Sequence, residues 1–331
     1  MLNTRRSVLL GVAACCCTAP AALGQTVPPA IAWNRAQQVN TKEAYGEYLR
    51  LYPNSPQAAK AREALDRLSA SAAPTSPPPQ QRIARVLLGP GRDARTLAQA
   101  VELVAEGGLI EVENGTYEGS ATITRGFTMR GLGDGGVFTA SAKDTVTIVS
   151  GAVTIERLTF TNTGARNAIF VSGGEPTVRA CKISNTGSKR NGATSGSEAA
   201  MLLGGGNALI DACIIGPGVT EGIHAHRTDG GTVQNCTITN SGWAISVHNS
   251  QTSFRSNTIS GSVLVGYGAR DTFEDNRHLD VGLMPYKLNP SSSATIRRNA
   301  FIFAGHTDPR VLMSGLNEAT NVVFEDNRIE S

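Results

Sequence analysis

Three histidines, a tyrosine and a lysine in the second half of the chain have side chains that can move protons. His224 and His226 lie in "GIHAHRT", His248 in "WAISVHN", Tyr267 in "VLVGYGA" and Lys287 in "YKLNP". An imidazole titrates near neutral pH, so a histidine can serve as a general base or acid, and a phenol can assist. These residues define a candidate site if the fold places them on one face.

Alternation of apolar and polar residues predicts that the histidines point outward from β-strands. In "WAISVHN", the apolar residues Ile245 and Val247 are expected to face the core, so His248 faces outward. The same alternation turns His224 and His226 outward, and the register of His226 assumes one extra residue in the turn "TDGG". The first predicted outer row is Gly204, His226, His248, Tyr267 and Asn289, and the second is Leu202, His224, Ser246, Val265 and Lys287.

A short sequence motif repeats about every 22 residues. It ends in Cys or Asn, followed by any residue and often by Ile. Its Cys or Asn positions are Cys181, Cys213, Cys236, Asn257, Asn276, Asn299 and Asn327. With 36 glycines and only 5% aromatic residues in 331, this period indicates stacked β-coils spaced by about 4.8 Å. We expect the asparagines to form a hydrogen-bonded ladder, which the cysteines continue as buried, reduced thiols. No His or Cys lies at ligand spacing around them, so no metal site is predicted.

An amphipathic helix, "TLAQAVELVAEGG", precedes the repeats. Thr96 and Gln99 match a capping box, and the apolar stripe that follows has helical spacing. Such a helix would cover the first coil, whose edge is otherwise open to pairing with other chains. We expect roughly ten coils between residues 109 and 331.

The stretch "TLAQAVELVAEGGLIEVENGTYEGSATITRGFTMRGLG", followed by coils that end in Asn-x-Ile, resembles the pectate-lyase-like superfamily. The resemblance covers about residues 85–331. It implies an all-β fold, a right-handed parallel β-helix of about ten coils with an N-terminal capping helix. The superfamily includes polysaccharide lyases, glycoside hydrolases, epimerases and non-catalytic adhesion or binding proteins, so the fold does not choose among them.

The chain lacks the motifs that carry the active sites of the superfamily's best-known enzymes. It lacks the paired Asp and Gly-His-Gly patterns of polygalacturonases, the Asp clusters of calcium-dependent pectate lyases and their Arg-x-Pro-x-x-Arg segment. Hydrolysis of a glycosidic bond needs two carboxylates at a defined separation, and the predicted outer rows contain none. No metal and no cofactor is therefore predicted.

The outer rows favour β-elimination from a uronic acid, which needs a base for the C5 proton, an acid for the leaving oxygen and a donor on the carboxylate. The candidate catalytic residues are His226, His248 and Tyr267. The candidate substrate-binding residues are His224, Lys287, Arg227, Arg270 and Arg190, with Lys189 beside the last. The alternative is that all of these are ordinary solvated side chains on an outer surface.

Three classes of function remain open. The first is a lyase or epimerase acting on an acidic polysaccharide. The second is a non-catalytic carbohydrate-binding or adhesive protein, and the third is a structural envelope protein. The net charge is only +3, and the sequence contains no basic cluster of the kind that nucleic-acid binding requires.

Residues 1–24 are predicted to be a signal peptide. Two arginines precede "SVLLGVAA", whose apolar run is too short to span a bilayer. "TRRSVLL" resembles a twin-arginine signal, the alternative being an ordinary signal peptide. Cleavage is expected before Gln25, and lipoprotein processing at Cys15 is the alternative. The sequence thus predicts a periplasmic or secreted protein with no transmembrane segment in its mature form.

Residues 31–70 are predicted to form an α-helical hairpin, which resembles the tetratricopeptide kind. Apolar residues recur at helical spacing on both sides of the break "YPNSP". A single hairpin cannot bury its own apolar face, so it must pack against something, either as an appendage or as a docking module for a protein partner. Residues 71–84 are a Pro- and Ser-rich linker.

Overall fold

The computed structural model describes residues 28–71, 82–133, 135–187, 198–279, 285–302, 313–314 and 321–330. They fall into two compact units, one helical and one rich in β-strands. The predicted signal peptide, most of the predicted linker, Lys189 and Arg190 lie outside the described residues. None of the described helices is long and apolar enough to cross a membrane.

The helical unit contains three helices where the sequence predicts two. They are α1 (Pro29–Val39), α2 (Lys42–Leu51) and α3 (Ala58–Ser71). The additional break follows from Asn40, which adopts a left-handed backbone with φ 50°, and from Thr41, whose hydroxyl accepts a hydrogen bond from the Ala44 amide. Tyr45 and Tyr48 are buried in the centre of this unit.

The β-rich unit contains one helix, α4 (Leu97–Leu103), and 28 described strands. The strands are β1 (Ile83–Leu88), β2 (Val104–Val112), β3 (Gly115–Glu118), β4 (Ala121–Ile123), β5 (Thr128–Gly131), β6 (Gly136–Ala140), β7 (Val146–Ile148), β8 (Thr154–Glu156), β9 (Thr159–Asn162), β10 (Ile169–Val171), β11 (Thr177–Arg179), β12 (Lys182–Asn185), β13 (Met201–Leu203), β14 (Leu209–Asp211), β15 (Ile214–Ile215), β16 (Glu221–His226), β17 (Thr232–Gln234), β18 (Thr237–His248), β19 (Ser253–Arg255), β20 (Thr258–Val265), β21 (Arg270–Glu274), β22 (Arg277–Leu279), β23 (Tyr286–Leu288), β24 (Ser293–Arg297), β25 (Ala300–Ile302), β26 (Met313–Ser314), β27 (Asn321–Glu325) and β28 (Arg328–Glu330).

These strands form three ladders, and every described pairing within them is parallel. The first ladder has the order β1-β2-β5-β8-β11-β14-β17-β19-β21-β24-β27. The second ladder begins at β3 and ends at β28, and the third begins at β4 and ends at β26. The long strands β18 and β20 belong to both the second and the third ladder, which they join into one sheet. The chain therefore coils through the three ladders in turn, as a parallel β-helix.

The number of coils agrees with the prediction of about ten. Among the described residues, ten strands of the first ladder run from β2 to β27, which makes nine full turns. Helix α4 begins with the predicted capping box, in which the Thr96 hydroxyl accepts from the Gln99 amide and the Gln99 side chain accepts from the Thr96 amide. Leu97 and Val101 of this helix are buried against the first coils.

The predicted asparagine ladder is confirmed. The Asn257 side-chain amide donates to Asn276 Oδ1 at 3.0 Å, Asn276 donates to Asn299 at 3.0 Å, and Asn299 donates to Asn327 at 3.0 Å. Asn257 Oδ1 also accepts from the backbone amide of Cys236 at 2.9 Å. The row therefore passes from asparagines to cysteines without interruption, and it buries its polar groups with partners.

The three cysteines of this row are unpaired and buried, as expected. Cys181, Cys213 and Cys236 are each no more than 2% exposed and none forms a disulfide. The contact with Cys213, followed by burial, raises the pKa of the Cys181 and Cys236 thiols. Because the thiolate is the nucleophile, both properties disfavour reaction of Cys181 and Cys236. The same contacts lower the pKa of Cys213, so burial alone protects that thiol.

Candidate functional site

The outer surface of the third ladder carries the histidines, and we call it the histidine face. Its first row, the His224 row, follows the register from strand to strand. The His224 row is Thr122, Thr147, Phe170, Leu202, His224, Ser246, Leu264, Lys287 and Ser314. His226 pairs directly with His248, which confirms the register assumed for "TDGG".

The second row, the His248 row, contains a glycine where the sequence predicted Tyr267. Val247 pairs with Val265, so the residue after each, His248 and Gly266, share a slot. The row is Gly204, His226, His248, Gly266 and Asn289.

Tyr267 lies one residue beyond this row, in a turn, with its side chain 56% exposed. Its predicted place in the row is wrong because the pairing of β18 with β20 shifts register between Trp243 and Ile245. The same shift buries Val265, which was predicted to face outward, and turns Leu264 outward instead. When a strand is one residue shorter than its partner, every side chain after that point lies on the opposite face of the sheet.

The three histidines form one cluster of rings. The His224 and His248 rings are stacked, with centroids 5.4 Å apart and planes 24° apart. The His226 ring meets His224 edge-on, with centroids 6.0 Å apart. His224 is only 3% exposed, whereas His226 and His248 are half-buried. The two rings that a substrate can reach are therefore those of His226 and His248.

Two further polar side chains support the cluster from below. Ser246 Oγ lies 3.2 Å from His248 Nε2 and is fully buried. Glu221 Oε1 lies 3.8 Å from His224 Nδ1, and the other Glu221 oxygen accepts from the Thr220 hydroxyl. A buried carboxylate thus lies behind the innermost histidine.

The surroundings keep the reachable histidines neutral. Burial, with the neighbouring His224 and His226, lowers the pKa of His248, and Glu221 opposes this only weakly. Burial, followed by His224 and Arg227, lowers the pKa of His226. Both imidazoles are therefore in the base form at neutral pH, as a general base requires.

Two glycines leave room for aromatic rings on this face. A Cβ at Gly266 would overlap the His248 imidazole. A Cβ at Gly204 would lie 2.7 Å from Cε2 of the Phe170 ring. Phe170 and His248 therefore lie across the backbone of the following coil, where only a glycine allows so close an approach.

The remaining predicted site residues are more widely spread. Lys287 is exposed in the His224 row, two strands beyond Ser246, which is about 10 Å. Arg227 is exposed in the turn after β16, with φ 58°. Arg270 is exposed at the start of β21, a strand of the first ladder, so it does not belong to the histidine face.

Sequence reasoning placed Ser246 in the outer row of His224 but gave it no role, and it missed Glu221 and Phe170 as members of the site. Glu221 alternates with Ile223 and Ala225, so its pattern predicts a core position, where a carboxylate is unexpected. A charged residue at such a position is itself a signal, because burial demands a partner. Phe170 could have been found from "AIFVS", where it alternates with two apolar residues.

Within the described residues, no group of three or more His, Cys, Asp or Glu side chains is arranged to hold a metal ion. What the cluster offers is two neutral imidazoles on an open surface, backed by a buried hydroxyl and a buried carboxylate. Such an arrangement can accept a proton from a bound molecule and hold the resulting charge near Glu221.

Three of the known structures that this chain resembles are distant likenesses. The chain is 12% identical to Escherichia coli YbhC, covering 78% of this chain and 87% of that one with a TM-score of 0.45. A pectin methylesterase from Aspergillus niger is 11% identical over 77% and 87%, with a TM-score of 0.42. A pectin methylesterase mutant in complex with a hexasaccharide is 15% identical over 76% and 93%, with a TM-score of 0.38. At these identities and scores, no activity is transferred from them.

Comparison with protein families is more informative. No curated protein matches the sequence. The profile of the family described as "Right handed beta helix region" matches residues 117–278 and 200–331, which together span more than half of the chain. With the continuous parallel ladders, this match shows that the chain belongs to the right-handed β-helix family.

Proposed function

We propose that the histidine face binds an acidic polysaccharide and moves a proton on it, as a lyase or an epimerase does. The observation that supports this most is the contact between His224, His226 and His248, with the pKa of the two reachable rings lowered. A solvated surface histidine needs no such neighbours, and three side-by-side imidazoles repel one another's charges.

The proposed reaction begins with proton abstraction by a neutral imidazole. His226 or His248 removes the C5 proton of a uronate, and the electrons form the C4–C5 double bond as the C4–oxygen bond breaks. The proton then passes from the imidazolium to the leaving oxygen, so that the histidine returns to its base form. In an epimerase the imidazole keeps the proton that it removes, and a second acid on the opposite face of the sugar ring supplies a proton to C5. Lys287 and Arg227 supply positive charge for the carboxylate.

A screen of acidic glycans tests this proposal. Polygalacturonate, alginate and hyaluronate are incubated with the protein, and unsaturated ends are followed by ultraviolet absorbance, with proton exchange at C5 followed by NMR. Activity that is present in the native chain and lost in a His226→Ala, His248→Ala double variant supports it. If no acidic glycan is bound or altered, the proposal is wrong.

A second candidate is carbohydrate binding without turnover. It is favoured by the position of Tyr267, which lies outside the row and leaves the face without the phenol that was expected among its proton-transfer groups. The same screen separates turnover from binding alone. The migration of a non-catalytic binding protein is retarded in an affinity gel that contains the glycan, but the protein generates no unsaturated ends and no proton exchange at C5.

Export to the periplasm or the medium belongs to the same proposal, since polysaccharides of this kind are extracellular. A fusion of residues 1–30 to a reporter that folds only outside the cytoplasm tests it.

The three-helix unit is proposed to dock a protein partner or to pack as an appendage. Deleting it while measuring glycan binding separates these roles from that of the β-helix.

A further inference from the structure

A pocket lies on the histidine face, several coils before the histidines. It has a volume of about 200 Å³ and its walls include Thr122, Thr147, Lys143, Asp144 and Arg166. A second cavity of about 410 Å³ adjoins it and shares Lys143. Thr122 and Thr147 are members of the His224 row, so the pocket opens onto the surface that carries the cluster.

The pocket is lined by two exposed cationic side chains, those of Lys143 and Arg166. Neither the Lys143 ammonium nor the Arg166 guanidinium forms an ion pair with any described residue. On the first ladder, by contrast, Arg130, Arg179 and Arg297 each pair with a carboxylate.

The one acidic wall residue, Asp144, is already engaged. One of its oxygens accepts from the Asn167 backbone amide at 2.8 Å and from the Asn167 side chain at 3.1 Å. The walls of the smaller pocket therefore carry a surplus of one positive charge, which favours an anionic ligand, while Glu118 lines the adjoining cavity.

The row connects the pocket to the histidines without a break. Thr147 pairs with Phe170, Phe170 with Leu202, and Leu202 with His224. Three strand spacings separate Thr147 from His224, which is about 14 Å. Phe170 lies between them, half-buried, with its ring over Gly204. A flat apolar ring at this position is a surface on which a sugar ring can stack.

We infer that Lys143 and Arg166 form an anion subsite that binds a carboxylate or sulfate of an acidic polysaccharide several sugar units away from the histidine cluster. The inference rests on the proposed function, which it extends from a single reacting unit to a chain long enough to reach both places. A short oligosaccharide occupies one place only, so affinity should rise steeply once the chain spans about 14 Å or more.

The test compares two charge reversals of equal size. Lys143→Glu with Arg166→Glu removes the subsite. Lys182→Glu with Arg277→Glu changes the same charge at exposed residues of the second ladder and serves as the control. Thermal unfolding of all three proteins checks folding, and a Lys143→Gln, Arg166→Gln variant removes the cations without introducing repulsion.

Binding is measured by calorimetry with long polygalacturonate as the carboxylate probe, dextran sulfate as the sulfate probe and trigalacturonate as the short probe. We expect the Lys143, Arg166 reversal to weaken binding of at least one long probe by 10-fold or more relative to the control reversal, and to leave trigalacturonate within 2-fold. Whichever long probe responds identifies the anion.

Two results overturn the inference, and they are distinguishable. If the native chain binds a long probe and both reversals weaken it equally, the subsite is absent while the proposed function stands. If the native chain binds no long probe, the proposed function and the subsite fail together.

Discussion

Nε2 of His248 lies 3.2 Å from the buried hydroxyl of Ser246, two residues earlier in the same strand. Alternation places residues i and i+2 on one face, so the serine reaches the imidazole within its own strand. The hydrogen bond fixes the orientation of the ring, while the neighbouring His224 ring stacks on it. A histidine held in this way has lost most of the rotational freedom of an exposed side chain, which is what a positioned general base requires.

His248→Ala is expected to lower turnover by about 100-fold or more, the scale of general acid–base catalysis, on whichever acidic glycan the native chain converts. Because His248 faces outward and is half-buried, the unfolding temperature should change little. Gln251→Ala, at an exposed residue nearby, is the control. If His226→Ala and His248→Ala both keep full activity and full glycan affinity, the cluster is only surface.

Gly266→Ala is expected to reduce activity without removing any catalytic group. The added methyl group would occupy the space of the His248 ring, so the imidazole must turn away from Ser246. Gly242→Ala is the matched control, because its nearest neighbour would be Thr220 at 3.9 Å. The histidine ring resonances of His248, followed by NMR, should shift in the first variant and not in the second. Unchanged activity and resonances in Gly266→Ala would show that the face tolerates the methyl group.

Repetition explains why the fold could be predicted and the site only in part. The asparagines recur in one slot, so a single pattern places Asn257, Asn276 and Asn299 together whatever the loops between them do. Tyr267 lies in the turn after β20, and the register between β18 and β20 shifts both before and after Trp243, so spacing measured along the asparagine row does not transfer to it. Alternation places Glu221 on the core side of β16, but the approach of its carboxylate to His224 Nδ1 cannot be read from that pattern.

Asn276→Ala is expected to destabilise the β-helix by roughly 2–5 kcal/mol. The side chain accepts from the backbone amide and the side chain of Asn257, and it donates to Phe254 and Asn299. Truncation leaves several buried groups without partners, each costing about 1–3 kcal/mol. Urea unfolding measures the loss, with exposed Gln251→Ala as the reference. A loss below about 1 kcal/mol would mean that water replaces the amide.

Cys181, Cys213 and Cys236 are expected to resist thiol reagents until the protein unfolds. Each is nearly inaccessible, and reaction requires an exposed thiolate. Labelling with a maleimide, followed by mass spectrometry of the peptides, should be slow for all three in buffer and fast in denaturant. Rapid labelling of all three in the folded protein would contradict their placement in the buried row.

Asp271 is expected to make the folded protein less stable as the pH rises from about 4 to about 6. The carboxyl group is 1% exposed, and burial raises its pKa from 3.8 to about 6 despite hydrogen bonds from Thr252 and Ser250. The folded state therefore binds this proton more tightly than the unfolded state. Stability from the protonated form is full below the unfolded pKa and is lost as the pH passes through the folded one.

The difference between the pKa of Asp271 in the folded and the unfolded protein corresponds to a loss of about 3 kcal/mol. Asp271→Asn keeps an oxygen that can accept from Thr252 and carries no charge, so the variant should gain stability relative to the native chain between about pH 4 and 7. His278, whose pKa burial lowers to about 3, acts in both proteins, and the difference between them isolates Asp271. Urea unfolding across this range measures it, with exposed Asp229→Asn as the control. A difference between Asp271→Asn and the native chain that stays constant with pH would show that the carboxyl group is solvated after all.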